Sequence, residues 1–271
     1  MTVVAQELIS EEDIATFERD GVVVLRNVFT DWMEPLREGV RKLMADPGPM
    51  ERSVVPEDGT AAFFQDLCNW QRIPEFSDFV QHSNAGALAA SLMRSRSARF
   101  FHDHVLVKQP GGSTVTPWHQ DQPYYNIDGR QNISMWLPVD PVPRAATLEF
   151  VGGSHQGPWL MPRSFMDKQA KWFPEGSLQD LPDIEADRSA HNILGWELQP
   201  GDAVFFHMLA LHSSKGSATT RRVFSVRFLG DDITHAPRNW VTSPDFPGLA
   251  ERLPAGAPMH DDDLFPLLYS A

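Results

Sequence analysis

A histidine and an aspartate stand two positions apart near the middle of the chain, in the stretch TPWHQDQP at residues 116–123. In an extended strand, side chains two positions apart leave the same face, so His119 and Asp121 are predicted to lie side by side. An imidazole and a carboxylate are two of the three ligands that hold Fe(II) in non-haem oxygenases, and a second histidine is the third. The pair therefore predicts part of a metal centre with open coordination positions.

A later histidine and a following arginine extend this pattern. His212 begins the run His-Ser-Ser, and Arg221 follows it by nine residues at the start of a strand-like segment. A His-x-Asp pair alone is weak evidence, whereas the ordered set of pair, distant histidine and arginine is much more specific. His207 is the competing histidine, and we expect it to lie on the preceding strand, in the core or behind the ligands.

In this order the motifs resemble those of the phytanoyl-CoA dioxygenase family over nearly the whole chain. The other matching segments are residues 19–25 (RDGVVVL), 107–110 (VKQP), 151–155 (VGGSH) and 200–202 (PGD), together with Trp136. The resemblance implies an α+β fold with a mainly β core, a double-stranded β-helix (the jelly roll of cupin-like proteins) with an N-terminal helical layer. It also implies Fe(II) as the metal, 2-oxoglutarate as the co-substrate and O2 as the oxidant.

The resemblance assigns the metal to three residues. His119, Asp121 and His212 would be the catalytic ligands of the iron. Three protein ligands suffice because 2-oxoglutarate would chelate the iron through its keto oxygen and one carboxylate, which leaves a position for O2.

The same resemblance places the other end of 2-oxoglutarate. Arg221 would bind the far carboxylate, because a planar guanidinium forms two parallel hydrogen bonds that a lysine cannot form. Arg222 is expected to point the opposite way, since neighbouring side chains of a strand alternate. Three further residues match positions around this pocket, with packing as the alternative role of each: Lys108, Trp136 and Ser214.

Two departures from the family's pattern lie away from the matched ligands. Residues 143–147 read PRAAT where the family often has Glu-Asn-Gly, and Gly152 stands where the family has proline. We expect both changes to alter loop shape and substrate fit and to leave iron binding intact.

A substrate pocket is predicted from side chains near the metal motif and in irregular segments. His102 and His104 share one strand face with Lys108, and one of these histidines, His104 as the candidate, is expected to line the pocket. The other candidates are Phe63, Trp118, Gln122, Tyr124, Tyr125 and Trp172. Aromatic side chains with a few polar groups are typical of small-molecule sites and equally of packed cores.

The composition of the chain limits the kinds of protein to which it can belong. The chain has 271 residues, 42% of them hydrophobic, with a net charge of −13 and a pI near 5.1. This charge argues against a nucleic-acid partner, because phosphate binding needs clustered Lys and Arg. The single cysteine, Cys68, excludes an internal disulfide and suits a reducing compartment. No apolar run approaches the ~20 residues that cross a bilayer and no signal pattern is present, so we expect a soluble cytoplasmic protein.

Periodicity and turn residues divide the chain into a helical part at about 1–97, a β core at about 98–230 and a tail at 231–271. We expect these parts to form a single domain. Residues 50–75 are expected to be irregular, and a strand is expected at 195–198. The Pro-rich segment 157–191 is expected to cover the active site as a mobile loop, with a static wrap as the alternative.

The reaction that the resemblance implies is hydroxylation of a C–H bond in a small organic molecule, with release of succinate and CO2. An intact Asp121 argues against halogenation, because related halogenases have a small residue there to make room for halide. One alternative is a cupin-like metal-dependent isomerase or hydrolase, against which Arg221 and Lys108 argue. The other is a non-enzymatic small-molecule binding module, which would be expected to have lost one of the site residues.

Overall fold

The computed structural model describes residues 8–56, 59–111, 114–161 and 176–271. Its α-helices are α1 (Glu11–Asp20), α2 (Met33–Ala45), α3 (Pro74–His82), α4 (Ala85–Leu92) and a short helix at Leu249–Arg252. Its strands are β1 (Val22–Leu25), β2 (Phe63–Leu67), β3 (Ser97–Lys108), β4 (Thr116–His119), β5 (Ile127–Asp128), β6 (Asn132–Pro138), β7 (Leu148–Val151), β8 (Leu160–Met161), β9 (Gln179–Asp180), β10 (Ile193–Leu194), β11 (Ala203–Phe206), β12 (His212–Ser214), β13 (Arg221–Leu229), β14 (Thr234–His235) and β15 (Leu267–Ser270). Short 3-10 turns lie at Thr30–Trp32, Gln122–Tyr124, Arg144–Ala146, Ser154–Gln156 and Arg188–Ala190.

The first helix begins and ends at residues whose types favour helix termini. The hydroxyl of Ser10 accepts a hydrogen bond from the N–H of Asp13, and the carboxylate of Asp13 accepts one from the N–H of Ser10. This reciprocal cap satisfies two donors that the helix itself leaves unpaired. At the other end Gly21 has φ 73°, a left-handed conformation that glycine adopts readily, and its N–H donates to the carbonyl of Phe17. The chain turns there directly into β1.

The larger of the two principal sheets, the major sheet, has seven strands in the order β1-β11-β6-β13-β3-β15, with β2 also paired to β3. Its strand pairs are antiparallel. The long pairing of β13 with β3 sets Arg221 opposite Lys108 and Arg227 opposite His102. Residues far apart in the sequence are thereby brought into one row.

The minor sheet has four strands in the order β10-β7-β12-β4, and it sets His212 opposite His119. The two sheets share one apolar cluster, in which Phe206 of the major sheet packs against Phe150 of the minor sheet at 5.1 Å between ring centroids. Two antiparallel sheets around a common core form the predicted double-stranded β-helix, so the fold class expected from the sequence is confirmed.

The helices cover the outer face of the major sheet. Leu36, Val40 and Leu43 lie on one side of α2 and are fully buried. Phe76 of α3 stacks on Phe224 of β13 with 4.4 Å between centroids. Burial of each such side chain contributes about 1.5–3 kcal/mol to folding. Because strand side chains alternate, the neighbours of Phe224 are directed to the opposite face, where the site lies.

Two segments differ from their predicted structure. Residues 63–67, expected to be irregular, form β2, which pairs with β3 along its whole length. Their sequence, FFQDL, lacks a clear period-2 alternation, so the available edge of β3 determines the strand. The strand expected at 195–198 is absent, because the pairing with β7 is made by Ile193–Leu194, and Leu198 forms only an isolated bridge with Val142.

The segment 157–191 is described only at its two ends. β8 pairs in parallel with β9 across the part that is not described. Trp172 lies outside the described residues. The expectation that this segment covers the active site therefore stays a prediction.

The C-terminal tail adds strands to the sheets and side chains to the core. β15 pairs with the edge of β3, β14 pairs with β5, and Phe265 packs against Phe101 at 5.5 Å between centroids. The assignment of the whole chain to one domain stays a prediction. Across the described ranges, none of the helices combines the length and the apolar character needed to cross a membrane.

Candidate metal centre and co-substrate site

Three side chains converge between the two sheets. Nε2 of His119 and Nε2 of His212 each lie 3.6 Å from Oδ1 of Asp121, and the three ligand atoms are all within 4.8 Å of one another. The two imidazole rings are cross-strand neighbours in the minor sheet, with centroids 4.2 Å apart. In the part of the chain that the structure describes, this is the one group of three His, Cys, Asp or Glu side chains close enough to share a metal ion.

The aspartate reaches this cluster by a different route from the one predicted. β4 ends at His119, and Asp121 has helical backbone angles (φ −74°, ψ −44°) at the start of the 3-10 turn Gln122–Tyr124. Its N–H donates to the carbonyl of Met208 at 2.7 Å, which anchors the turn to the loop before His212. The predicted proximity of the two side chains is therefore correct, but a turn produces it in place of strand alternation.

Backbone carbonyls orient both imidazoles. Nδ1 of His119 lies 2.8 Å from the carbonyl of Pro117, and Nδ1 of His212 lies 2.9 Å from the carbonyl of Ala210. A carbonyl only accepts hydrogen bonds, so each Nδ1 carries the proton and each Nε2 keeps a lone pair directed at Asp121. Burial, together with the neighbouring imidazole, lowers the pKa of His212 to about 3. Neutral imidazoles with free Nε2 atoms are the form that binds a metal.

The carboxylate of Asp121 is held by its other oxygen. Oδ2 accepts hydrogen bonds from the hydroxyl of Ser134 at 2.9 Å and from Nη2 of Arg227 at 3.2 Å. Burial alone would raise the pKa of Asp121, but the charge of Arg227 holds this pKa well below its usual range. The group is thus ionised, and Oδ1 is left to face the histidines.

Sequence reasoning missed Arg227 and Ser134. Arg227 is buried and is fixed by Nε donating to the Tyr125 hydroxyl at 3.1 Å and Nη1 donating to Ser225 at 3.0 Å. A signal was available, because Arg227 stands six residues after Arg221 on the same strand, and an even separation puts both on one face. No comparable signal marks Ser134, whose role depends on the register of β6 with β13.

Two buried cations lie beyond the histidines. Arg221 is 4% exposed, donates to the carbonyl of Ala146 and lies 5.4 Å from the ring centre of Trp136. Lys108, its cross-strand neighbour, is 2% exposed, and its Nζ donates to Ser214 Oγ at 3.0 Å and also to two backbone carbonyls. The four residues expected around 2-oxoglutarate are thus brought together.

Within the described ranges, neither of these cations has a carboxylate partner. Burial lowers the pKa of Arg221 to about 10, and burial together with the charge of Arg221 lowers the pKa of Lys108 to about 7. Two unneutralised buried cations are costly unless an anion joins them. Arg222, by contrast, faces the other way and pairs with Asp140, as strand alternation predicts.

The donor set therefore fits the expected groups. Two imidazoles and a carboxylate suit Fe(II) and leave open positions, and the cation pair suits the far carboxylate of a dicarboxylic acid. The three possible metal ligands and Arg221 line the same cavity of about 540 Å3. Its walls include His119, Asp121, His212, Trp136, Ser214 and Arg221.

The same cavity contains four of the predicted substrate residues, Phe63, His104, Tyr124 and Tyr125, and also His102. Trp118 and Gln122 do not line it. Trp118 alternates with His119, so it points outward into a cluster with Leu211, and its Nε1 donates to Glu185 at 2.9 Å.

Gln122 is buried behind the metal motif. Its amide donates to the carbonyl of Gly129 at 3.1 Å and accepts from Asn132 at 3.1 Å, so it braces the 3-10 turn. His207 follows the end of β11 instead of lying on it. Its Nε2 lies 2.9 Å from the carbonyl of Arg130, and its side chain is not part of the His119, Asp121 and His212 cluster.

The two departures from the family's pattern have local explanations. Gly152 donates its N–H to the carbonyl of Asn192 at 2.8 Å, a bond that a proline could not make. The loop at residues 143–147 supplies the Ala146 carbonyl that accepts from Arg221, so it contacts one of the residues that line the cavity.

Comparison with known proteins supports this interpretation. The family model "Phytanoyl-CoA dioxygenase (PhyH)" matches residues 17–223. A probable phytanoyl-CoA dioxygenase of Caenorhabditis elegans is 28% identical over 143 residues, which cover 49% of this chain and 43% of that protein. The matched region thus spans less than half of the length of that curated relative.

Solved structures share the fold. The carbocyclase SnoK from nogalamycin biosynthesis, described as α-ketoglutarate-dependent, has a TM-score of 0.75 at 22% identity, with 97% of each chain covered. The epimerase SnoN, solved with Fe3+, α-ketoglutarate and nogalamycin RO, has a TM-score of 0.75 at 23% identity, with 95% of this chain and 98% of that chain covered. Because the family model covers most of the sequence, the chain belongs to the phytanoyl-CoA dioxygenase family, a family of iron- and 2-oxoglutarate-dependent enzymes.

Proposed function

We propose that this protein is an Fe(II)- and 2-oxoglutarate-dependent oxygenase that hydroxylates a C–H bond of a small organic molecule and releases succinate and CO2. The observation that carries the proposal is the shared cavity, whose walls contain both a His-Asp-His cluster and the buried cation Arg221. A second buried cation, Lys108, lies directly behind this wall as the cross-strand neighbour of Arg221. A metal site alone suits many reactions, whereas a metal site beside an unneutralised cation pair suits a dicarboxylate co-substrate.

In this proposal His119, Asp121 and His212 hold the iron. When bound, Fe(II) supplies the activation of O2, coupled to oxidative decarboxylation of 2-oxoglutarate. The protein fixes the ligands before the metal arrives, because the carbonyls of Pro117 and Ala210 set both imidazole tautomers. Such fixed ligand orientation typically contributes 10- to 100-fold to metal affinity.

Arg221 and Lys108 orient the co-substrate. The guanidinium lies against the Trp136 ring and the Ala146 carbonyl, which fix its plane for two parallel hydrogen bonds to a carboxylate. Ser214 holds the ammonium of Lys108. Because both cations are buried, their attraction for a dianion is little screened by water.

The rest of the cavity binds the substrate and excludes water. Phe63, Leu106 and Tyr124 supply apolar and aromatic walls, and the volume of about 540 Å3 lies within the range of small-molecule sites. Exclusion of water protects a reactive oxidant from side reactions. The intact Asp121 supports hydroxylation over halogenation, since it occupies the coordination position that a halide would need.

The experiment that tests this proposal measures the formation of succinate. We expect stoichiometric enzyme with Fe(II) and 2-oxoglutarate to form succinate only in the presence of O2, and Asp121→Ala to form none. For compounds that accelerate this reaction, transfer of one oxygen atom from labelled O2 to the product distinguishes hydroxylation from ring closure or desaturation. Succinate formation that is absent, or that is unchanged in Asp121→Ala, would overturn the proposal and favour an isomerase, a hydrolase or a binding module.

A further inference from the structure

Two histidines on β3 face the cavity without a role in holding iron or co-substrate. His102 and His104 are two residues apart on an extended strand, so their side chains leave the same face. Their partners across the sheet are Arg227 and Ser225, which also line the cavity. The pair therefore forms a strip of imidazoles on the wall beside the residues that hold Asp121.

Both rings present a nitrogen without a protein partner. Nε2 of His102 and Nε2 of His104 are buried and form no hydrogen bond with any of the residues that the structure describes. Buried polar groups are usually paired, and an unpaired one lowers stability unless something else satisfies it. A buried donor or acceptor on a cavity wall is the kind of group that gives a binding site its specificity.

The contact made by Nδ1 of His102 determines which ring nitrogen carries the proton. Nδ1 lies 3.3 Å from the carbonyl of Asp103, which can only accept, so Nδ1 carries the proton. Nε2 is then an acceptor with a free lone pair. The ring itself is fixed between Phe101 and Tyr125, with centroids 5.0 Å and 5.2 Å away, so the lone pair has a defined direction.

The surroundings keep both imidazoles neutral. Burial lowers the pKa of His104 to about 3, with a further contribution from the charge of Arg227, and both effects also lower the pKa of His102. Arg227 is itself hydrogen-bonded to Asp121, Tyr125 and Ser225. The strip is therefore a neutral hydrogen-bonding surface, which does not attract an anion.

Resting on the proposed function, we propose that His102 and His104 recognise the substrate, and that His102 Nε2 accepts a hydrogen bond from a hydroxyl or N–H group of that molecule. The substrate class that fits is an uncharged molecule with an aromatic or aliphatic body and at least one hydrogen-bond donor. Its body would lie along Phe63, Leu67 and Leu106, and its donor would meet His102. His104 would hold a second polar group of the same molecule.

The test uses a matched pair of probes, 4-phenylphenol and its methyl ether, 4-methoxybiphenyl. Their dissociation constants are measured by calorimetry on the anaerobic holoenzyme with Fe(II) and 2-oxoglutarate. We expect the phenol to bind at least about tenfold more tightly than the ether, since a site built for a donor discriminates against an analogue that lacks it. In His102→Phe this preference should disappear, whereas His102→Gln, which keeps an acceptor, should retain part of it.

Stability separates a binding role from a structural one. If Nε2 serves a ligand, His102→Phe removes an unpaired buried group and should leave the melting temperature of the ligand-free protein unchanged or higher. The carbonyl of Asp103 keeps its hydrogen bond from the N–H of Cys68, so no new unpaired group is created. His82→Phe, at an exposed histidine of α3, is the matched control and should leave the dissociation constants of both probes unchanged.

Several results would overturn the inference. These are equal binding of the two probes, absence of binding by either, persistence of the preference in both His102→Phe and His104→Phe, or unfolding of His102→Phe. The visible band of the iron and 2-oxoglutarate complex is recorded in every sample. If the band is normal, any of these results refutes only the proposed role of His102 and His104 in substrate recognition. If the band is missing in the unmodified protein, the proposed function itself is refuted.

Discussion

Arg227 donates a hydrogen bond to Oδ2 of Asp121 at 3.2 Å, while Oδ1 of the same carboxylate faces both histidines at 3.6 Å. One oxygen is therefore committed to the protein and the other to the metal position. Because Arg227 is also bonded to Tyr125 and Ser225, the carboxylate is held from behind by a rigid network. These hydrogen bonds explain how Asp121, which lies beyond the end of β4, still directs Oδ1 towards the two histidines.

The first prediction concerns this network. Arg227→Met should lower Fe(II) affinity by about 10- to 100-fold, as expected when a group that orients a ligand is lost. It should also destabilise the metal-free protein by about 3–5 kcal/mol, because a buried carboxylate loses its partner. Calorimetric Fe(II) binding and thermal unfolding with and without metal measure the two effects.

Ser134→Ala is the comparison for Arg227→Met. It removes a hydrogen bond from an uncharged donor to the same ionised oxygen and should cost about 1.5–3 kcal/mol, less than the loss of the charged partner. An Arg227→Met protein that binds Fe(II) as tightly as the parent would show that the network serves only packing.

The second prediction separates two adjacent arginines. Arg221→Lys should weaken 2-oxoglutarate binding by roughly 1.5–3 kcal/mol, because the two parallel hydrogen bonds to a buried carboxylate are lost. Arg222→Lys should have little effect, since Arg222 pairs with Asp140 on the opposite face. Titration calorimetry on the iron-loaded variants measures both, and equal losses would contradict the assigned strand faces.

The third prediction is a pH dependence of 2-oxoglutarate binding. The free site lowers the pKa of Lys108 to about 7, and only the protonated form attracts a dianion. Below that pH the ammonium is present, and as the pH rises through it the proton is lost and affinity falls, by up to about tenfold per pH unit. Dissociation constants measured between about pH 7 and about pH 9 should increase accordingly.

Lys108→Met provides the control for this pH dependence. It should bind 2-oxoglutarate more weakly at neutral pH and show a flat profile over the same range. A profile in the variant as steep as in the parent would assign the titration to another group.

Much of the fold and part of the site follow from local sequence features. The cap at Ser10 and the turn at Gly21 are set by neighbouring residues, so they are predictable without tertiary information. The proposed metal ligands and Arg221 could be selected from the sequence because their types and spacing form an ordered pattern. These features share one property, in that each depends on residues close in sequence or on a fixed order of motifs.

The remaining features depend on long-range register. β2 forms because β3 offers it an edge, and Ser134 reaches Asp121 because β6 pairs with β13. Trp118 and Gln122 stand next to the metal motif in sequence, but strand alternation directs one outward and the 3-10 turn buries the other. Proximity to a motif is therefore a weak guide to pocket lining, whereas the strand face is a good one.

We propose that one cavity binds iron and 2-oxoglutarate together, and an anaerobic titration tests this. Addition of 2-oxoglutarate to the Fe(II)-loaded protein should produce a weak visible charge-transfer band, with matching heat in calorimetry, because the co-substrate chelates the metal while Arg221 holds its far end. His212→Ala should show no band, and Arg222→Lys should show the full band. Absence of both band and heat in the unmodified protein would show that the cavity does not bind iron and 2-oxoglutarate together.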